Sequence, residues 1–144
     1  MQPDEFVQQL EDEKISQAIR LAEATTSGEI RVFVSGKQVP DALAAAKEKF
    51  VELGMTRTRE RNGVLILVAP MTRGFAVVGD EAVHSKCGDE FWQKIADEMA
   101  SHFRESRFTE GIVQGVRKAG AILAEHFPRR SDDTNELPDR VERD

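Results

Sequence analysis

Apolar residues recur along this chain with two periods. Between residues 11 and 25, Ile15, Ala18, Ile19 and Ala22 fall at i, i+3, i+4 and i+7, the spacing of one helix face. Glu11, Asp12 and Glu13 suit the positive end of its dipole. Phe6, Val7 and Leu10 extend that helix toward the N-terminus or pack as a lead-in, and Gly28 ends it, able to take positive φ. Ile30, Val32 and Val34 then alternate with Glu29, Arg31 and Phe33, a period of two that predicts a strand. Beyond Pro40, Asp41 is placed to cap a helix over about 42–53, with Leu43, Ala46, Phe50 and Leu53 inward and Gly54 as its stop.

Residues 64–69 form an unbroken apolar run, which predicts a strand covered on both faces. A short turn at 70–74 leads into a return strand over 75–78, and residues 80–89 read as irregular. Asp89 caps a helix whose buried side is Trp92, Ile95, Met99 and Phe103. Thr109 caps the last helix, with Phe108 and Val113 as a hydrophobic staple and Ile112, Val116, Ala119 and Leu123 inward. Gly111, Gly115 and Gly120 on that helix predict close packing. Past Pro128 the chain is mostly charged, so residues 129–144 read as a disordered tail behind a single domain over 1–128.

This order of elements predicts an α/β fold: a three-layer α/β/α sandwich, with a small mixed β-sheet flanked by helices. The strands at 29–34 and 64–69 form a parallel crossover unit. The short turn at 70–74 forces the third strand antiparallel to the second. The first two strands therefore begin at the sheet edge where the third ends. Glu29, Asn62, Asp80 and Glu81 converge there, with Thr56, Thr58, Asp89 and Glu90 within reach. The general rule for α/β sheets points to the opposite edge, beyond the carboxyl ends of the parallel strands. That edge is formed by residues 35–41 and 70–74, where Asp41 is the only acid.

Composition narrows the function. The 144 residues are 40% hydrophobic and 32% charged, with a net charge of −6, which suits a globular domain and argues against nucleic acid as partner. The sequence starts without a basic and apolar leader, and no apolar run spans a bilayer, so the expectation is a cytoplasmic protein without membrane insertion. Cys87 is the single cysteine and reads as a packed or idle thiol; His84, His102 and His126 are too scattered for a zinc site.

The converging acids pose the chemical question. Two like charges about 4 Å apart repel by roughly 4 kcal/mol at an effective dielectric of about 20. Several carboxylates together would consume much of a domain's stability of about 5–15 kcal/mol. Oxygen donors without histidine or cysteine favour calcium, or magnesium if waters complete its shell. The same cluster is equally explained by Arg57, Arg59 and Arg61 pairing with the acids.

Six segments, read in order, resemble one family: Thr26-Ser27-Gly28-Glu29-Ile30-Arg31-Val32, Leu53-Gly54-Met55-Thr56, Arg61-Asn62-Gly63-Val64-Leu65-Ile66, Phe75-Ala76-Val77-Val78-Gly79-Asp80-Glu81, Gly88-Asp89-Glu90-Phe91-Trp92 and Glu110-Gly111-Ile112. The chain resembles the TPM domain family from roughly residue 10 to 128. The resemblance implies an α/β/α sandwich and a divalent-cation site, often calcium, on loops at one sheet edge. Carried over by position, Glu29, Asn62, Asp80, Glu81 and Asp89 fall on the family's acidic and polar motif positions. Plant chloroplast relatives are associated with photosystem II repair and weak acid phosphatase activity. Many bacterial relatives carry a signal peptide and a transmembrane anchor; neither is expected here, so the chain looks like the stand-alone cytosolic type. The expected function is a calcium-binding TPM module, regulatory or partner-binding, whose metal orders the loops at that edge. The alternative is a metal-assisted phosphomonoesterase, with Asp80 or Glu81 on the cation and an arginine from 57–61 on the phosphate.

Overall fold

In the computed structural model, which describes residues 11–88, 90–129 and 141–143, strand β1 (Glu29–Val34) runs parallel to β2 (Gly63–Ala69). Glu29 lies opposite Gly63 and Val34 opposite Val68. Strand β3 (Gly74–Gly79) returns antiparallel along β2. A fourth, three-residue strand, β4 (Val141–Arg143), adds parallel to the free side of β1, so the order is β3-β2-β1-β4.

Five helices among the described residues cover the sheet: α1 (Asp12–Glu23), α2 (Ala42–Glu52), α3 (Glu81–Cys87), α4 (Phe91–Phe103) and α5 (Phe108–His126). Alternation along the strands assigns the faces. Ile30, Val32 and Val34 of β1 join Ile66 of β2 in a core with Ile15 and Ile19 of α1, Met99 of α4 and Val116 of α5. Phe33, Leu65 and Leu67 point the other way, onto Ala46 and Phe50 of α2 and onto Met55. All seven residues of β2 are buried, as an apolar run covered on both faces requires. Each fully buried Val, Leu or Ile contributes roughly 1.5–3 kcal/mol.

The glycines of α5 set how closely it packs. A Cβ at Gly115 would stand 2.7 Å from Met99 of α4, and one at Gly120 would stand 2.7 Å from the Cβ of Ala22 on α1. The expected close packing is therefore a helix–helix contact on both flanks. No helix among the described residues is long and apolar enough to cross a membrane.

Four local expectations differ from the structure. The segment after Asp80 is a helix, α3, although too short to display a helical period. Helix α4 turns Phe91, Ile95 and Met99 inward and leaves Trp92 43% exposed, one residue out of the expected phase. Leu43 is exposed on α2. Helix α5 begins at Phe108 with no side-chain cap, and Thr109 instead accepts a hydrogen bond from the Glu11 amide at 3.1 Å.

The expected disordered tail also contains structure. Arg129 donates to the Glu23 carbonyl at 3.1 Å, and β4 lies beside β1, where Glu142 pairs with the buried Arg31. Composition alone could not reveal a charge partner 111 positions away. Residues 130–140 and 144 of that tail, and the lead-in residues Phe6, Val7 and Leu10, lie outside the described residues.

Candidate functional site

The rim where β1 and β2 begin and β3 ends is held by backbone contacts before any side chain acts. The Asp80 amide donates to the Gly63 carbonyl at 2.9 Å, and the Ala82 amide donates to the Arg61 carbonyl at 3.2 Å. A Cβ at Gly28 would stand 3.3 Å from the Asn62 carbonyl oxygen, so this glycine serves close approach; it is absent from the described positive-φ positions. Glu29, Asn62 and Asp80 thus share one rim, as the strand directions predict, and all three are buried.

Asp80 is the focus. It caps α3, its Oδ1 accepting from the Glu81 amide at 2.8 Å. Arg61 Nε donates to Asp80 Oδ2 at 2.7 Å and Nη2 donates to Oδ1 at 2.8 Å, a bidentate clasp. That hydrogen bonding raises the guanidinium pKa further, so Arg61 stays charged at any working pH. Arg61 sits at φ 53, in the left-handed region, which costs an L-residue about 1–2 kcal/mol. Its Nη1 also stands 3.6 Å from Glu81 Oε1, on a side chain that is 72% exposed.

A second cluster lies alongside, and sequence reasoning did not assemble it. Asn62 Nδ2 donates to Ser27 Oγ and to Glu60 Oε2, each at 3.1 Å, and the Ser27 hydroxyl donates to Glu60. Asn62 Oδ1 and Thr58 Oγ1 are buried with no hydrogen-bond partner among the described residues. Glu23 of α1 is buried and accepts from the Ile30 amide at 2.8 Å, closing the start of β1. These links depend on side-chain direction at chain turns, which no periodicity encodes.

The other expected members take different places. Glu90 is exposed at the start of α4, Thr56 is half-buried, and Asp89 lies outside the described residues. His84 packs edge-on against Phe91 at 5.5 Å. Burial, with Glu125 adding to it, pushes the Cys87 thiol up and keeps it protonated.

Among the described residues, no three His, Cys, Asp or Glu side chains gather as a metal cluster. The donors at the rim suit a hard divalent ion in kind, being carboxylate, amide and hydroxyl oxygens. They fit it on one condition: Arg61 must leave Asp80.

The model of the TPM domain matches residues 1–122. The NMR structure of BA42 protein from the psychrophilic bacterium Bizionia argentinensis is similar at 37% identity and a TM-score of 0.86, over 94% of this chain and 96% of that one. The solution structure of the N-terminal domain of a protein from P. gingivalis shares the fold at 19% identity and a TM-score of 0.64, over 79% of this chain and 76% of that one. Among curated proteins none matches.

Proposed function

The chain belongs to the TPM domain family, and we propose that it is a divalent-cation-responsive binding module, with calcium or magnesium held at the rim by Asp80 and Glu81 and with Asn62 behind them. The state of Asp80 carries this reading. Its side chain is 5% exposed, and a carboxylate so buried needs a compensating charge. That charge sits on Arg61, whose side chain is 40% exposed and hangs from a left-handed backbone position. Such a partner is able to swing into water and release Asp80 Oδ2, with Oδ1 still held by the Glu81 amide, and to release the Glu81 carboxylate it also approaches at 3.6 Å. The unpartnered Asn62 Oδ1 and Thr58 Oγ1 support a site for oxygen-bound ions and their waters. A cytoplasmic location is part of the proposal, since a free thiol such as Cys87 stays reduced there.

The test is thermal. An ion present at 100 times its dissociation constant adds about 2.7 kcal/mol, or roughly 5–10 °C for a domain of this size. The wild-type protein should melt higher in calcium or magnesium than in chelator, and Asp80→Asn should abolish the difference. A wild-type melting temperature indifferent to both ions and to chelator removes the proposal.

The metal-assisted phosphomonoesterase has less behind it. Asp80 already accepts three hydrogen bonds, and the Cys87 thiol is held protonated. Hydrolysis of p-nitrophenyl phosphate that requires both a divalent ion and Asp80 would promote it.

A further inference from the structure

We propose a second, independent binding site at the opposite sheet edge, for a small molecule with an apolar body and an anionic head. Past the carboxyl end of β2 lies a cavity of about 440 Å³, lined by Val68, Phe75, Phe103, Phe108, Arg73 and Arg104. Its volume falls within the range of ligand sites, and its position is the one that α/β sheets use for ligands.

The apolar part is a set of three half-buried rings. Phe75 and Phe103 meet edge to face at 5.3 Å between centroids, and Phe108 tilts against Phe103 at 6.1 Å. Three rings left half-open on one edge form a surface that water wets poorly.

The polar part decides the ligand's charge. Arg73 and Arg104 are exposed and have no acidic partner among the described residues, on a chain of net charge −6. The nearby carboxylate, Glu105, is taken by Arg107 at 3.0 Å. Two guanidinium groups without counter-ions beside an apolar cavity complement a carboxylate, sulfonate or phosphate attached to an aromatic or acyl group.

Backbone geometry marks the same place. Of the three non-glycine residues described with positive φ, two line this cavity: Arg73 at φ 55 and Ser106 at φ 60. Ser106 closes the end of α4, donating to Phe103 at 3.0 Å while Arg107 donates to His102. Arg73 closes the turn after β2, donating to Pro70 at 3.1 Å. Glycine would serve the Arg73 position with less strain.

The experiment uses the full chain and two probes: anilinonaphthalene sulfonate, which has rings and an anion, and phenylnaphthylamine, which has the same rings without it. The sulfonate should bind one site per chain and shift amide signals over 68–75 and 100–108. Arg73→Gly with Arg104→Gln should weaken the sulfonate by about tenfold or more, the loss of charge-assisted hydrogen bonds, and leave the neutral probe within about twofold. Arg73→Gly relieves a left-handed arginine, so this variant keeps the fold, and the exposed Arg104→Gln alone gives a second reading. Equal weakening of both probes, unchanged sulfonate binding in the double variant, or signal shifts elsewhere would overturn the proposal.

Discussion

Arg61 and Asp80 are joined by two parallel hydrogen bonds, of 2.7 and 2.8 Å, across the gap between the start of β2 and the end of β3. One partner is nearly buried and the other is substantially in water. The energetic weight therefore falls on Asp80, which cannot be left alone, whereas Arg61 can be replaced by any other cation. Arg61→Gly also relieves the left-handed strain at that residue. The variant should melt below wild type in chelator and regain stability on adding calcium, by more than wild type gains. A calcium response no larger than that of wild type would show that Arg61 does not stand in the ion's place.

Arg31 and Glu142 yield a prediction about the tail. Arg31 is buried on β1, bonded to the Leu53 carbonyl at 3.2 Å and paired with Glu142 of β4. Removing one partner of a buried pair costs about 3–5 kcal/mol, because the other charge remains in place. A chain ending at Arg129 should lose stability on that scale in denaturant unfolding, and adding Arg31→Met should restore much of it. Truncation without effect would mean that β4 contributes nothing to the fold.

Gly120 tests the packing of α5 on α1. Alanine is favoured over glycine in a helix by about 1 kcal/mol. Here its Cβ would stand 2.7 Å from the Cβ of Ala22 and 3.3 Å from the Cα, atoms unable to move without their helix. Overpacking of this kind costs about 1–3 kcal/mol. Gly120→Ala should be net destabilising by urea melt, and more so than Gly115→Ala, whose neighbour is the flexible Met99 side chain.

Cys87 sets a pH dependence. Burial raises its pKa above the free-thiol value of about 8.5. The folded chain then holds a proton that the unfolded chain loses first, so stability falls as pH rises through the free-thiol value and levels off above the folded one. Alkylation by iodoacetamide at pH 8 should be slower than for free cysteine and should accelerate on unfolding. Alkylation as fast as the free amino acid would contradict the burial argument.

The sheet was legible because its strands carry clean patterns. Residues 29–34 alternate and residues 64–69 are continuously apolar, and both became strands with the expected directions. Short elements were not legible. Helix α3 has one buried apolar residue, Val83, and β4 offers only Val141 among charges. Trp92 misled by size: Phe91 starts α4 and takes the inward phase. At the rim, strand directions alone bring Glu29 and Asp80 to either side of Gly63, and the arginines at 57–61 leave open in the sequence which of them pairs with the acids. The Ser27–Glu60–Asn62 cluster depends on rotamers at turns, where neighbouring positions carry no periodic information.

The cation account is tested most directly by titrating calcium chloride into isotopically labelled protein and following backbone amides. The account predicts saturable shifts centred on residues 58–63 and 79–84, together with a changed Arg61 Nε signal as its hydrogen bond to Asp80 is lost. An Arg61 Nε signal that stays fixed while calcium saturates, or amides that do not respond, would contradict it.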